Sequence, residues 1–346
     1  TGRVYDHLFF RHWDTWKDGR RSHLFVTPAA GGKSVDVTRG MDTDVPTKPF
    51  GGSEEMTFTP DSRAVVFTAR QGGREEAWST NADLFVVPIN GASPPKSITA
   101  KNKGWDSSPV FSPNGVFFAY LSMERGGYEA DKVRIMMREG LEGSEGILTR
   151  DWDRSAEGLT WSADANTIFT TAQNLGQHSV FALSPRTGQA ECIVEKGSCG
   201  GPQLATDDKL VFAMDHLRGP AELYVVDATG GEPVQITHIN DERLASAQMG
   251  DPEQFSFKGW NDETVYGYIV KPVGFDSSRK YPVAFLIHGG PQGSFGNDFH
   301  YRWNPQSYAG AGYAAVMIDF HGSTGYGQTF CDSIRGDWGG KPLEDL

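Results

Sequence analysis

The stretch YPVAFLIHGGPQGSFGND, residues 281–298, joins an apolar run to a loop with almost no side chains. The apolar residues predict a buried strand, and His-Gly-Gly marks the point where that strand ends. Glycines at such a point have two structural explanations, a tight turn that needs positive φ or a close approach of two backbones. They also have a functional explanation, because a loop without side chains can point backbone N–H groups at a reacting oxygen.

The segments on either side of this stretch favour an α/β arrangement. Residues 254–272 alternate between apolar and polar, which predicts an exposed hairpin. Residues 312–320, GYAAVMIDF, form a second apolar run after a helical stretch near 303–311, and two apolar strands separated by a helix are typical of a parallel β-α-β unit. Sites in open α/β sheets form in loops at the carboxyl ends of strands, so HGGPQGSFG and HGSTGYGQ are both candidate site loops.

A loose repeat fills the chain from residue 20 to about residue 250. Short apolar strands alternate with turns of the pattern [Ser/Ala/Thr]-x-[Asp/Asn], which begin near residues 59, 112, 162 and 205. Strand-rich units with a period of about 43 to 53 residues are typical of β-propeller blades, and an irregular β-sandwich is the alternative. We therefore predict a β-propeller over residues 1–250, with one or more N-terminal blades missing. The N-terminal part of an α/β-hydrolase domain follows over 251–346 and ends before the nucleophile elbow.

Composition limits the classes of partner. The 346 residues contain 32 Lys+Arg and 44 Asp+Glu, a formal net charge of −12. This balance argues against nucleic acid and anionic membranes as partners. The longest aliphatic stretches have strand length, far below the roughly 20 residues of a membrane span.

The chain contains three cysteines, Cys192, Cys199 and Cys331. The first two lie in ECIVEKGSC around a Lys-Gly-Ser turn signal, a spacing that fits a hairpin disulfide and also fits two reduced cysteines. A bridge would indicate an oxidising compartment. No zinc-binding spacing occurs, so no metal site is expected.

The two glycine loops suggest acyl-transfer chemistry. An enzyme that forms a tetrahedral oxyanion needs N–H donors close to the developing charge, and Gly289 and Gly290 can bring backbone N–H groups there. His-Gly-Gly after a hydrolase strand is a known form of this arrangement. The nucleophile motif Gly-x-Ser-x-Gly does not occur in the sequence. In HGSTG, residues 321–325, His321 takes the place of the first glycine, so we interpret Ser323 as loop structure.

The segment from FLIHGGPQGSFGND to HGSTGYGQTF, followed by GDWGGKPLEDL, resembles the start of the catalytic domain in the prolyl oligopeptidase superfamily of serine peptidases. With RHWDTWKDGRRSHLFV and STNADLFVVP, the chain looks most like the secreted fungal dipeptidyl-peptidases of that superfamily. The resemblance implies a β-propeller capping an α/β-hydrolase domain, and a Ser-Asp-His triad without metal or cofactor. It also implies a secreted, extracellular enzyme whose partners are peptides with a free N-terminus. Such an enzyme would release dipeptides, with small residues such as alanine favoured before the cleaved bond.

Some site residues carry over from this resemblance. Gly290 matches the family's backbone oxyanion donor, and His288 and Gly289 shape the same loop. No residue here matches the triad motifs, so we expect the triad beyond residue 346 and expect these 346 residues alone to be inactive. His288 is not expected to be the general base, because in the hydrolase order the base follows the nucleophile and the acid.

The sequence does not decide which carboxylate would bind the substrate amine. Candidates lie in the acid-rich segments HWDTWKDG, GGSEE and REEAWST: Asp14, Asp18, Glu54, Glu55, Glu75 and Glu76. Asp14, Glu54 and Glu76 represent the three segments, and each is also explained as an ordinary solvated or turn carboxylate. The alternatives in function are an acylaminoacyl peptidase or oligopeptidase on the same scaffold, and a non-catalytic propeller that serves as a binding module.

Overall fold

The structure is a computed structural model that describes residues 2–6, 8, 10–70, 73–206 and 208–346. The chain separates into two compact units, Thr1–Arg150 and Asp151–Leu346. The domain boundary predicted at residue 250 falls inside the second unit and stays a prediction.

The first unit contains two-stranded ribbons and four-stranded antiparallel sheets. Its strands are β1 Arg11–His12, β2 Thr15–Trp16, β3 Phe25–Val26, β4 Val35–Asp36, β5 Met56–Phe58, β6 Ala64–Arg70, β7 Ala82–Pro88, β8 Lys96–Ser97, β9 Asp106–Phe111, β10 Phe117–Ser122, β11 Arg134–Glu139 and β12 Gly146–Ile147. The four-stranded sheets have the orders β5-β6-β7-β8 and β12-β11-β10-β9. Both are meanders in which strands that follow each other in sequence pair antiparallel.

Strand β6 shows why these sheets pack together. Its apolar residues point alternately to opposite faces, as in any strand. Phe67 packs with Phe85 in one buried cluster. Val66, on the opposite face, packs with Leu84 and with Phe118 of β10 in another. The sheet β5–β8 therefore buries both faces, one of them against β9–β12.

The second unit contains the remaining strands and the α-helices. They are β13 Glu157–Trp161, β14 Ile168–Asn174, β15 Gln177–Leu183, β16 Ala190–Val194, β17 Ser198–Thr206, β18 Lys209–His216, β19 Gly219–Asp227, β20 Val234–Gln235, β21 Pro252–Lys258, β22 Thr264–Val270, β23 Val283–Leu286, β24 Ala314–Asp319, α1 Asp241–Ala245, α2 Pro305–Gly310, α3 Gln328–Asp332 and α4 Lys341–Asp345. Strands β13 to β20 form an eight-stranded sheet in which β15 and β17 meet in parallel at His178 and Ser198. Over the described residues, every helix falls short of the length and apolar character that crossing a membrane requires.

The predicted repeat is present as a repeated turn. A Ser or Thr hydroxyl donates to the Asp or Asn two residues later, at distances of 2.7 to 2.9 Å, in the pairs Thr59–Asp61, Ser112–Asn114, Ser162–Asp164 and Thr206–Asp208. Each turn connects the first and second strands of a four-strand group, namely β5–β8, β9–β12, β13–β16 and β17–β20. These groups are the repeating unit of the sequence.

A mixed sheet follows, with the strand order β21-β22-β24-β23. Strands β21 and β22 pair antiparallel from Pro252–Val270 to Lys258–Thr264, which confirms the predicted hairpin but not its exposure, because Val265 and Val270 of β22 are fully buried. Strands β23 and β24 pair in parallel and α2 lies between them in the chain, which confirms the predicted β-α-β unit. Helix α2 begins after Asn304, whose side chain accepts from the Gln306 N–H as an N-cap.

The prediction that the strand before His-Gly-Gly is buried is wrong in one respect. Val283 is 61% exposed and Phe285 40% exposed in β23, whereas Ala315 and Met317 in β24 are fully buried. Among the described strands, β23 pairs only with β24, so it forms an edge of the sheet. In β24, Ala315 and Met317 are buried because Leu217 and Ala309 of α2 pack against them.

Candidate active site

The loops after β23 and β24 lie side by side. We call residues 287–300 the His-Gly-Gly loop and residues 320–327 the His-Gly-Ser loop. The Thr324 N–H donates to the Gly293 carbonyl across 2.9 Å, which ties one loop to the other. Parallel strands end at the same edge of a sheet, and the two predicted site loops meet there as expected.

Gly290 has a backbone conformation that favours glycine. Its φ is +130°, and an added Cβ would lie 2.7 Å from the Gln292 nitrogen, closer than real Cβ atoms approach. Gly289 is exposed, and an added Cβ there would meet nothing within 4 Å. Within the described residues, the N–H groups of Gly289 and Gly290 donate to no protein acceptor. They are therefore available to an oxygen of a bound molecule, which is what the predicted oxyanion role of Gly290 requires.

Asp319 holds the His-Gly-Gly loop in place. It ends β24, is 3% exposed, and accepts hydrogen bonds from the Ser294 hydroxyl at 2.6 Å and the Phe295 N–H at 2.9 Å. It also accepts from the Tyr326 hydroxyl of the His-Gly-Ser loop at 2.6 Å. Burial, together with the charge of Asp319, raises the pKa of Tyr326 well above its ordinary value, so Tyr326 remains a donor. Asp319 was not predicted as a site residue, although an acid at the carboxyl end of an apolar strand was a usable signal.

His288 contacts both a serine and an acid without forming a catalytic triad. Its Nε2 lies 2.9 Å from the Ser323 hydroxyl and 3.7 Å from the Asp319 carboxylate, while Nδ1 faces the Gly289 carbonyl at 2.8 Å. In a triad the serine and the acid face opposite ring nitrogens, whereas here both face Nε2. Ser323 is also fully buried, so its hydroxyl is not placed to attack a peptide.

A second buried histidine holds the His-Gly-Ser loop from the other side. His321 is fully buried, and its Nδ1 and its backbone N–H both lie 2.7 Å from one Asp345 oxygen. Its Nε2 lies 3.2 Å from Glu263. Asp345 also accepts from the Trp260 N–H at 2.8 Å, so α4 is tied to this loop. Among the described residues, no group of three or more His, Cys, Asp or Glu side chains could hold a metal ion.

Glu76, one of the candidate amine-binding carboxylates, lines a cavity of about 370 Å³ in the first unit, with Trp13 and Phe50 among its walls. Its carboxylate accepts two hydrogen bonds from Arg21, at 2.9 and 2.7 Å, and one from Lys17 at 2.9 Å. Burial alone would raise the pKa of Glu76, but the bonds from Arg21 and Lys17 lower it to about 2. Glu76 is therefore ionised and held rigidly.

The other candidate carboxylates are exposed or already satisfied: Asp14, Asp18, Glu54, Glu55 and Glu75. Glu55 is buried and accepts from the Thr47 N–H and hydroxyl at 2.6 and 2.5 Å. Burial raises its pKa against these bonds. Asp18 and Glu54 bind backbone N–H groups two residues away in exposed turns. Glu55 is thus explained by the fold alone.

Of the two possibilities left open for Cys192 and Cys199, the structure has the reduced one, with Cys192, Cys199 and Cys331 as free thiols. The physical reason lies in the strand pairing. Cys192 in β16 pairs with Phe181 of β15, whereas Cys199 in β17 pairs with Met214 of β18. Strands β16 and β17 both pair with the edge of β15 that faces away from β14, at different positions along it, so the two cysteines do not face each other across a hairpin.

Comparisons with known proteins find similarity to serine peptidases of one family. Residues 299–346 match the prolyl oligopeptidase family. The chain is 33% identical over 369 aligned residues to a protein named probable dipeptidyl-peptidase 5 from Arthroderma benhamiae, covering 100% of this chain and 51% of that protein. It is 32% identical to dipeptidyl-peptidase 5 of Schizosaccharomyces pombe, covering 99% of this chain and 51% of that protein.

A solved structure shares the fold. Acylaminoacyl peptidase of Pyrococcus horikoshii superimposes with a TM-score of 0.68 at 20% identity, over 84% of this chain and 44% of that one. The chain spans about half the length of the dipeptidyl-peptidase relatives. The resemblance predicted from the sequence is confirmed: residues 299–346 match the prolyl oligopeptidase family, and the whole chain is similar to proteins named dipeptidyl-peptidase 5.

Proposed function

We propose that the complete protein is a secreted serine exopeptidase that releases N-terminal dipeptides of the Xaa-Ala kind from peptides. The observation that carries this proposal is similarity along the whole chain to proteins named dipeptidyl-peptidase 5. The exposed glycine loop at the carboxyl edge of the mixed sheet supports it, because acyl transfer needs donors at such a place. We place the Ser-Asp-His triad beyond residue 346, consistent with relatives about twice as long as this chain.

In this proposal the scissile carbonyl binds at Gly290. As the serine attacks, negative charge develops on the carbonyl oxygen, and the Gly290 N–H donates to it. Asp319 fixes Ser294 and Phe295, so the loop is in position before the substrate arrives. A donor that needs no rearrangement is what makes oxyanion stabilisation effective.

We extend the proposal to the architecture. The four-strand groups, each with its Ser/Thr-x-Asp/Asn turn, are proposed to be blades of a β-propeller. The mixed sheet from β21 onward is proposed to be the start of an α/β-hydrolase domain, which places the domain boundary near residue 250.

For the substrate amine we favour Glu76 over Asp14 and Glu54. Glu76 lines a cavity, and its bidentate pair with Arg21 fixes the carboxylate. Of its oxygens, Oε2 accepts only from Arg21 among the described residues and retains capacity for an ammonium group. An ammonium–carboxylate hydrogen bond is worth about 1.5–3 kcal/mol, roughly ten- to a hundredfold in kcat/KM.

The test uses the complete protein and paired substrates. An Xaa-Ala amide with a free amine should be cleaved at least about tenfold better than its N-acetylated counterpart. Glu76→Gln should remove this preference, while Glu75→Gln, an exposed neighbouring control, should keep it. Equal or better cleavage of the acetylated substrate would overturn the dipeptidyl-peptidase assignment and favour an acylaminoacyl peptidase.

A further inference from the structure

A tight turn of the eight-stranded sheet reaches both site loops. It joins β14 to β15, and we call residues 173–177 the tip hairpin. Leu175 has a φ of +52° and Gly176 a φ of +76°, so both central residues of the turn are left-handed. This conformation suits glycine and is unfavourable for leucine, so the surrounding contacts must hold the turn.

The tip hairpin bonds to the His-Gly-Gly loop through one asparagine. The Asn297 N–H donates to the Gly176 carbonyl at 2.8 Å, and the Asn297 side chain donates to the Gln177 side chain at 3.0 Å. The Gly176 carbonyl also accepts from the Tyr268 hydroxyl of β22 at 3.1 Å. The far end of the His-Gly-Gly loop, at Asn297, is thereby attached to the turn.

The same turn bonds to the His-Gly-Ser loop. The Leu175 N–H donates to the Gly325 carbonyl at 3.0 Å, and the Thr324 hydroxyl donates to the Gln173 side chain. An added Cβ on Gly176 would lie 2.9 Å from the Gln254 amide nitrogen, 3.1 Å from the Tyr268 ring and 3.4 Å from the Tyr326 hydroxyl. A methyl group at Gly176 would fit only if the Gln254 amide, which donates to the Leu175 carbonyl at 2.7 Å, moved aside and the Tyr268 ring gave way.

These contacts connect the turn to the proposed oxyanion donor through a short series of bonds. Tyr326 donates to Asp319, and Asp319 holds Ser294 and Phe295 of the His-Gly-Gly loop. The turn bonds to Gly325, which precedes Tyr326 in the chain, and to Asn297, so moving the turn would move Tyr326 on one side and Asn297 on the other. Both movements act on the loop that contains Gly290.

We propose that the tip hairpin is a positioning element for the site, with Gly176 as its central positioning residue. The inference rests on the proposed function, since it assumes that Gly290 is the donor. It assigns to the eight-stranded sheet a part in catalysis: it sets the relative position of the two loops without touching the substrate.

The test is Gly176→Ala in the complete protein, with Gly127→Ala as a matched control. Gly127 has the same φ of +76°, and an added Cβ there meets nothing within 4 Å. Both glycines have a positive φ that is unfavourable for alanine, but only at Gly176 would the methyl group also press on Gln254 and Tyr268, whose side chains bond to the tip hairpin. We expect Gly176→Ala to lower kcat about ten- to a hundredfold with KM within about twofold, because small misplacements of reacting groups cost about that much. Gly127→Ala should leave both unchanged.

A gentler variant and a second measurement keep the outcome decisive. Tyr268→Phe retains the buried ring, removes one bond to Gly176, and should lower kcat by a smaller factor. Hydrogen exchange over residues 288–298 and 321–327 should quicken in Gly176→Ala and not in Gly127→Ala. A folded Gly176→Ala with wild-type kcat and wild-type exchange overturns the inference. If the wild-type protein cleaves no peptide, the proposed function fails, and the exchange result alone still decides whether the turn positions the loops.

Discussion

Replacing Gly290 with alanine is the most direct perturbation of the proposed oxyanion donor. The new Cβ would lie 2.7 Å from the Gln292 nitrogen and 3.1 Å from its carbonyl carbon, both backbone atoms that a side-chain movement cannot relieve. The φ of +130° is also unfavourable for alanine. The loop must therefore move, and the Gly290 N–H moves with it. Loss of one oxyanion donor costs about 2.7–4 kcal/mol, so we expect kcat to fall about 10²–10³-fold.

Gly289→Ala is the matched control for this change. It lies one residue away in the same loop, with an added Cβ in open space and a φ outside the left-handed region. We expect its kcat to stay within about twofold of wild type, since nothing forces the N–H of Gly290 to move. Gly290→Pro is less informative, because proline fixes φ near −65° and would disrupt the loop for a separate reason.

The assay is hydrolysis of an Xaa-Ala chromogenic amide by the complete protein, with circular dichroism and thermal unfolding of each variant as the check on folding. A folded Gly290→Ala variant with near-normal kcat would refute the reasoning and leave His-Gly-Gly as a turn only. An equal loss in Gly289→Ala would also contradict it, because it would show that any added methyl group in this loop is harmful.

Two further predictions concern groups elsewhere in the chain. Burial raises the pKa of fully buried Asp106 to about 6, against hydrogen bonds from Ser122, Asn102 and Thr99. Protonation of the Asp106 carboxyl therefore favours folding. Its contribution to stability is fully present below pH 3.8 and is lost as the pH rises through about 6. Asp106→Asn should raise the free energy of unfolding at pH 8 by up to about 3 kcal/mol, which also raises the thermal unfolding midpoint. The variant should depend less on pH than the wild type, and an unchanged pH profile would contradict this. Exposed Cys192 should be alkylated in the native protein, whereas Cys199, buried and with a pKa raised by burial to about 12, should react only after denaturation. A Cys192–Cys199 linked peptide in non-reducing mass spectrometry would argue against the free thiols.

The fold could be predicted from the sequence wherever local pattern determines structure. Alternation over residues 254–272 gives the hairpin β21–β22, and the Ser/Thr-x-Asp/Asn turns appear at the same place in each four-strand group. The burial of β23 could not be predicted, because burial depends on what packs against each face of the sheet. Val283 and Phe285 have the composition of a buried strand but project from an exposed face, whereas Leu286 packs against the buried cluster around Met317.

The candidate site could likewise be predicted only in part from the sequence. The glycine loop is visible in the sequence because glycine itself is the signal. The residues that hold this loop were not visible, because their bonds join positions far apart in the chain: Asp319 with Ser294, and Asn297 with Gln177. The cysteine spacing could not decide between a bridge and free thiols for the same reason, since Cys192 and Cys199 are close in sequence but pair with different strands.

His288 has a part in the loop that differs from that of a general base. The Gly289 carbonyl can only accept a hydrogen bond, so the His288 Nδ1 that faces it at 2.8 Å carries the hydrogen, and Nε2 accepts from the Ser323 hydroxyl. The Gly289 carbonyl and the Gly290 N–H belong to one planar trans peptide and point in opposite directions. By holding the carbonyl, His288 turns the Gly290 N–H away from itself, with no protein acceptor for it among the described residues. This is the orientation that the proposed donor needs, and it explains why a histidine precedes two glycines at the end of this strand.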